Sequence, residues 1–177
     1  MNPTRIVVHN TTNDASARNE VKCMQNNKSH TSFHYAVDDK EVIQALPLDR
    51  NSWNAGDGRN GKGNREGISI EICYSKSGGS CFILAEKRAA KLIAEILDQR
   101  GWDISKVTKH QDYSGKYCPH STLDMGWNRF LKMVEVERKT IFKVRVTADS
   151  LNYRFGAGVQ YKINGAIKDQ ELYTIID

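Results

Sequence analysis

The chain has 177 residues, of which 39% are hydrophobic and 27% charged, and a formal net charge of +5 at pH 7. That balance belongs to globular proteins rather than disordered ones, and no apolar run approaches the roughly 20 residues of a membrane span. No Lys/Arg block exceeds two residues, so neither a nucleic-acid stripe nor a membrane partner is expected.

The positive charge is spread along the chain, with 20 basic against 17 acidic residues over 1–138 and 6 against 4 over the rest. It suits a polyanionic partner only weakly. At this length one good core fits, with a small extra module beside it. The N-terminus, Met1 to His9, lacks a long apolar core followed by a small-residue cleavage site, so no signal peptide is expected. The four cysteines, Cys23, Cys73, Cys81 and Cys118, are then expected as thiols, with a Cys73–Cys81 bridge left open.

Arg5 to His9 reads as a short buried strand, because Ile6, Val7 and Val8 are contiguous and β-branched. Asn10 to Asn13 is a turn, and Asn13 or Asp14 is the expected cap of a short amphipathic helix from Ala15 to about Gln25, on which Ala17, Val21 and Met24 recur at helical spacing. Ser32–Val37 and Glu41–Leu46 read as a hairpin turned by Asp38, Asp39 and Lys40. His34 would face away from Phe33 and Tyr35, since strand side chains alternate.

Residues 49–67 are polar and Gly-rich, and are read as a long functional loop without helix or strand. Trp53 within it either stacks on a ligand or plugs the loop onto the core. Gly58 to Gly63 lacks the Gly-Lys-Ser/Thr ending of a phosphate loop. Ile68 to Cys73 is the next strand, with Ile68, Ile70 and Ile72 on one face and Glu71 on the other. A carboxylate is a poor choice for stability in such a strand. We read Glu71 as functional, because the sheet face it shares with His9 and the long loop is where a cleft would form.

Tyr74 to Cys81 is a turn, and residues 85–100 give the clearest helix, with Ala85, Ala89, Leu92, Ile93, Ile96 and Leu97 as its apolar stripe and Gly101 as its stop. A last amphipathic helix is predicted from Leu123 to about Val136. Beyond Arg138 the chain turns rich in Val, Ile, Tyr and Thr between glycines, the pattern of small β structure.

The chemistry gathers at Lys109 to His120. His110 and Cys118 stand eight positions apart in a segment where Gly115 and Pro119 rule out a continuous helix. Imidazole and thiolate together suit zinc, a borderline-soft ion, and His9 at the carboxyl end of the first strand is the best third donor. Three protein ligands would leave a fourth position for water, acidified to a pKa of about 7. Glu71 would serve as the base, and Lys116, two residues before Cys118, could reach a developing oxyanion. A closed structural site would instead need a fourth ligand from His120, His34 or a free cysteine.

The segment Ile6 to Asn10, the run Gly63 to Ile72 and the His110 to Cys118 loop resemble, in that order, the zinc-dependent N-acetylmuramoyl-L-alanine amidases. This family includes phage endolysins and is related to the peptidoglycan recognition proteins. The resemblance covers roughly residues 3–135. It implies an α/β domain, with a central mixed β-sheet flanked by helices, a zinc site at the sheet edge and a small C-terminal β segment. It also implies zinc on His9, His110 and Cys118, with Glu71 and Lys116 catalytic. Trp53 to Gly56 matches the family's Trp-X-Ala-Gly signature, and from the loop motifs Trp53 and Asn64 are carried over as substrate contacts, with His34 lining the pocket.

The implied reaction is hydrolysis of the bond between N-acetylmuramic acid and L-alanine in bacterial peptidoglycan. The alternative is a peptidoglycan-binding recognition module that does not cleave. Residues 1–138 would be the catalytic domain. The segment 139–177 resembles part of a wall-binding Src-homology-3-like domain, although Tyr153 and Phe155 replace smaller residues and its length falls below that of a domain that folds alone. The missing signal peptide suits an endolysin held in the host bacterial cytoplasm until holin-dependent release to the wall.

Overall fold

The computed structural model describes residues 2–140 and 142–175. The chain divides into two compact units, residues 1–138 and 139–177.

The first unit is built on a five-stranded sheet in the order β3-β2-β4-β1-β5. Strand β1, Arg5–Asn10, lies between β4, Gly67–Ile72, and β5, Val107–Lys109, parallel to both. Strand β2, Tyr35–Val37, continues the parallel set beside β4, and β3, Val42–Gln44, closes that edge antiparallel. A mixed sheet results, and its central strands read as near-continuous apolar runs because both faces are covered. Ile6, Val7, Val8, Ile68, Ile70 and Ile72 are all fully buried.

The principal helix on the sheet, α3, Gly79–Gln99, packs on β2 and β4 through Phe82, Ala85, Ala89, Ala90, Ile93 and Leu97. Small alanines at this seam let the helix approach the sheet closely. It begins earlier than the apolar stripe predicts. Its first turns carry Ile83 and Leu84 in the solvent, 51% exposed each, which hides the period from Gly79 to Leu84.

Helix α1, Ala17–Asn26, packs on β2 and β3, with Ala17, Phe33, Ala36 and Cys73 at its centre and Val21 and Met24 against them. Its cap is Ser16, whose hydroxyl accepts from the Asn19 amide, and not Asn13 or Asp14. Asn13 is taken by the preceding turn, accepting from the Ala15 amide, and Asp14 accepts from Ser77. Asp38 links this helix to the hairpin: Oδ1 accepts the Lys40 and Glu41 amides, and Oδ2 accepts the Ala17 amide.

Elsewhere short-range chemistry divides what the sequence joins. The loop expected over 49–67 contains a five-residue helix, α2, Lys62–Glu66, whose start is held by Asp57 accepting from the Gly63 and Asn64 amides. Between Lys109 and His120 lies α4, Gln111–Ser114, ended by Gly115 at φ 75°. The predicted last helix is two: α5, His120–Asp124, and α6, Trp127–Thr140, separated at Gly126, whose φ is 104°. Arg129 of α6 donates to both oxygens of the fully buried Glu86 on α3, at 2.8 and 2.6 Å. Among the described residues no helix is long and apolar enough to cross a membrane.

The second unit holds two antiparallel pairs. Strand β6, Phe142–Arg145, pairs with β9, Leu172–Ile175, and β7, Leu151–Arg154, pairs with β8, Ile163–Ile167. Tyr153, Phe155, Tyr161 and Ile163 of this unit are exposed.

Candidate metal centre and cleft

Parallel pairing sets the site. In the β1–β4 register His9 lies directly opposite Glu71, so the two side chains leave the same face of the sheet near its carboxyl end. The His110 amide donates to Val8 O at 3.2 Å, extending the β1–β5 ladder by one residue and bringing its imidazole beside His9. Open α/β sheets bind their ligands at this end of the strands.

The nitrogen and sulfur donors of His9, His110 and Cys118 lie within 4.8 Å of one another, and all three residues are buried. The two Nδ1 atoms face each other at 3.1 Å. Two nitrogens at about 2.05 Å from a tetrahedral zinc ion would stand about 3.3 Å apart, so the histidine pair is already spaced for a shared ion. Burial lowers the pKa of His9 well below its ordinary value, with His110 and Lys116 adding to the effect; burial and Lys116 lower that of His110. Both shifts favour the neutral ring, the form whose lone pair can bind a metal. His9 Nε2 is buried with no hydrogen-bond partner among the described residues. Burial pushes the Cys118 thiol up to about 11, while the Asn10 backbone amide opposes the shift. A thiol so placed becomes a thiolate when a cation arrives. This donor set fits zinc by its chemistry and its spacing.

The loop that supplies Cys118 is closed by its own backbone, the Gln111 amide donating to Cys118 O at 2.9 Å; the Cys118–Pro119 bond is cis. Gly56 packs against it from the long loop. Its φ is 72°, and a Cβ there would stand 2.8 Å from Ser114 Cβ and 3.4 Å from His110 Nε2, so only glycine suits this turn.

A cleft of about 240 Å³ includes the donors and is lined as well by Glu71, Lys116, Thr12, Glu20, Thr31 and Phe33. Glu71 Oε1 stands 3.9 Å from His9 Nδ1. Burial raises its pKa to about 7, against the hydrogen bond from Asn54 that lowers it, with Glu20 raising and Lys116 lowering it further.

A family model described as N-acetylmuramoyl-L-alanine amidase matches residues 1–121. The chain belongs to that amidase family. N-acetylmuramoyl-L-alanine amidase CwlA of Bacillus subtilis is 56% identical over 137 residues, 77% of this chain and 50% of the relative. The solved structure of PlyL is 51% identical with a TM-score of 0.73, covering 76% of this chain and 84% of that one. A mutant endolysin from Bacillus subtilis is 41% identical with a TM-score of 0.69, covering 76% and 86%. The chain spans about half the length of the curated relatives it matches.

Of the residues expected at the amidase site, the cleft brings together His9, His110, Cys118, Glu71 and Lys116. Trp53 and Asn64 are not among its lining residues. Trp53 is 45% exposed with its backbone paired to Ser32, so its ring does not plug the core. Asn64 is buried and spent on the loop: its Oδ1 accepts the Asn54 and Ala55 amides, and its Nδ2 donates to Gly58 O. These bonds hold the loop, and the residue is 2% exposed and outside the lining of the cleft. His34 is likewise structural, its Nδ1 accepting the Ser69 amide and its Nε2 donating to Arg50 O, and it does not line the cleft. His120 donates to Ser75 O, away from the donor cluster. All four cysteines are free thiols.

Two cleft residues escaped the sequence reading. Asn54 donates through Nδ2 to Glu71 Oε1 at 2.9 Å and to Ser69 Oγ at 2.7 Å, which fixes the carboxylate. It is the variable position of the signature around Trp53, and only the fold reveals where it points. Glu20 sits on the polar side of a short helix and leaves no signal.

Proposed function

We propose that this protein is a zinc-dependent amidase that hydrolyses the bond between N-acetylmuramic acid and the L-alanine of the peptidoglycan stem peptide. The observation that carries the reading is one convergence: three buried soft and borderline donors within 4.8 Å, a desolvated carboxylate 3.9 Å from one of them and an ammonium on the same cleft. Membership of the amidase family and likeness to an endolysin supply the bond and the setting.

His9, His110 and Cys118 would hold the ion, which when bound supplies Lewis-acid polarisation and acidifies water. The residues of the chain then divide the work of acyl transfer. Glu71, held by Asn54 at one oxygen, keeps the other free to take a proton from the attacking water and return it to the leaving L-alanine amine. Lys116 offers its ammonium to the oxygen that gains negative charge as the carbonyl carbon becomes tetrahedral. Glu71 works from the buried side of the cleft, whereas Lys116 reaches it from an exposed loop position. The C-terminal unit belongs to the same proposal as a partial wall-binding element, and the diffuse positive charge of the chain suits a polyanionic wall. Release from the host cytoplasm to the wall would follow the endolysin pattern.

The test is digestion of purified Gram-positive walls by the metal-loaded protein, assaying new amino groups and reducing ends together. New L-alanine amino termini without reducing ends, abolished by a zinc chelator and by Glu71→Ala, are expected. Wall binding without release of either group would refute the amidase and leave a recognition module.

A further inference from the structure

The cleft holds a second carboxylate that the chemistry above leaves unused. Glu20, in the first turn of α1, lines the same cleft as Glu71 and is half-buried. Asn13 Nδ2 donates to its Oε1 at 2.5 Å, and no cation is paired with it among the described residues. The neighbouring base on α1 is committed elsewhere, Arg18 forking onto both oxygens of Glu41. Burial raises the pKa of Glu20, and its charge in turn raises that of Glu71. A half-buried carboxylate beside another one is a cost to the empty protein. An acidic first turn does favour the helix, but an exposed carboxylate at position 18 or 19 would supply that benefit without the cost. What position 20 alone offers is access to the cleft.

We propose that Glu20 is a specificity-determining residue that receives the side-chain ammonium of the diamino acid in the stem peptide. This rests on the reading of peptidoglycan as substrate. Before cleavage the α-amines of the stem are locked in amides, the first of them the scissile one, so the amine left to recognise is the side-chain amine of the diamino acid at its third position. In an extended stem that residue begins roughly 7–10 Å from the scissile bond, far enough to meet a lining residue other than the metal donors. Glu20 is the lining carboxylate besides Glu71, with one oxygen anchored by Asn13 and no cation paired with it among the described residues. A charge-assisted hydrogen bond in a partly desolvated cleft discriminates a cationic side chain from its acylated form.

The experiment compares N-acetylmuramoyl-L-alanyl-D-isoglutaminyl-L-lysine with the same peptide acetylated at the lysine Nε. Binding is measured by calorimetry on zinc-loaded Glu71→Ala protein, where no turnover intervenes, with and without Glu20→Gln. The free amine is expected to bind about tenfold tighter than the acetylated form. Glu20→Gln, which keeps an acceptor for Asn13, should abolish that preference while leaving the acetylated peptide's affinity unchanged. Equal binding of the two peptides by the protein with Glu20 intact overturns the proposal without recourse to any Glu20 variant. So does an equal loss for both peptides in Glu20→Gln, which would mark a general effect on the cleft. Cleavage by the protein with Glu71 intact separates the two readings. Amine-dependent binding without cleavage would refute the amidase and keep Glu20 as the amine site. Cleavage without amine preference would refute the role of Glu20 alone.

Discussion

Asn54 offers a direct test of how the cleft holds its base. Its Nδ2 bridges Glu71 Oε1 and Ser69 Oγ at 2.9 and 2.7 Å, so truncation to alanine frees the carboxylate to rotate away from the attacking water. A hydrogen bond to a charged group contributes about 1.5–3 kcal/mol. At 1.36 kcal/mol per tenfold in rate, losing it from the transition state lowers kcat roughly 10- to 150-fold. Because Asn54 acts through Glu71, KM should change little. Asn54→Asp should lose more than Asn54→Ala, since it removes the donor and sets a second carboxylate against the first. The assay is steady-state hydrolysis of a soluble muramyl peptide, with thermal unfolding to confirm that each variant folds. A kcat within threefold of wild type for Asn54→Ala, or a loss carried wholly by KM, would refute the positioning argument.

Other consequences can be checked independently. Arg129→Ala strands the fully buried Glu86 carboxylate; its cost should be about 3 kcal/mol in urea unfolding, the low end for breaking a buried pair because Arg129 is 35% exposed. His34 is buried neutral with its pKa lowered, so the unfolded chain binds the proton first and stability should fall as pH drops from about 6.5 toward the folded-state value. His34→Gln should be less stable at pH 8 by about 1–3 kcal/mol, and its stability should vary less between pH 6.5 and 5, as unfolding series at each pH will reveal. Stripping zinc with a chelator should lower Tm by roughly 10 °C, the equivalent of losing a ligand present at about a thousand times its Kd. An unchanged Tm would argue against a resident ion on His9, His110 and Cys118.

The sequence by itself determined the elements that rest on local pattern. The β-branched runs of β1 and β4 and the apolar stripe of α3 are period signals that burial enforces, and each stands in the fold where the pattern put it. The residue types at His9, Glu71, His110, Lys116 and Cys118 marked the chemistry, because soft donors and a strand carboxylate are costly to keep without a use. Breaks were less legible: Gly126 splits α5 from α6, and β5, with Val107 as its one apolar residue, is too short to leave a period.

Only the tertiary structure decided what meets what. Register placed His9 opposite Glu71, a fact that pairing fixes and sequence spacing cannot. The long loop then assigned its polar residues in an order no pattern foretold. Asn64, carried over as a substrate contact, is spent on backbone amides, while Asn54 reaches the base. Glu20 acquired its place in the cleft because α1 packs across β2 and β3. Each of these depends on long-range contacts between residues that local propensity treats as interchangeable polar side chains, which is why the fold had to be known before their roles could be read.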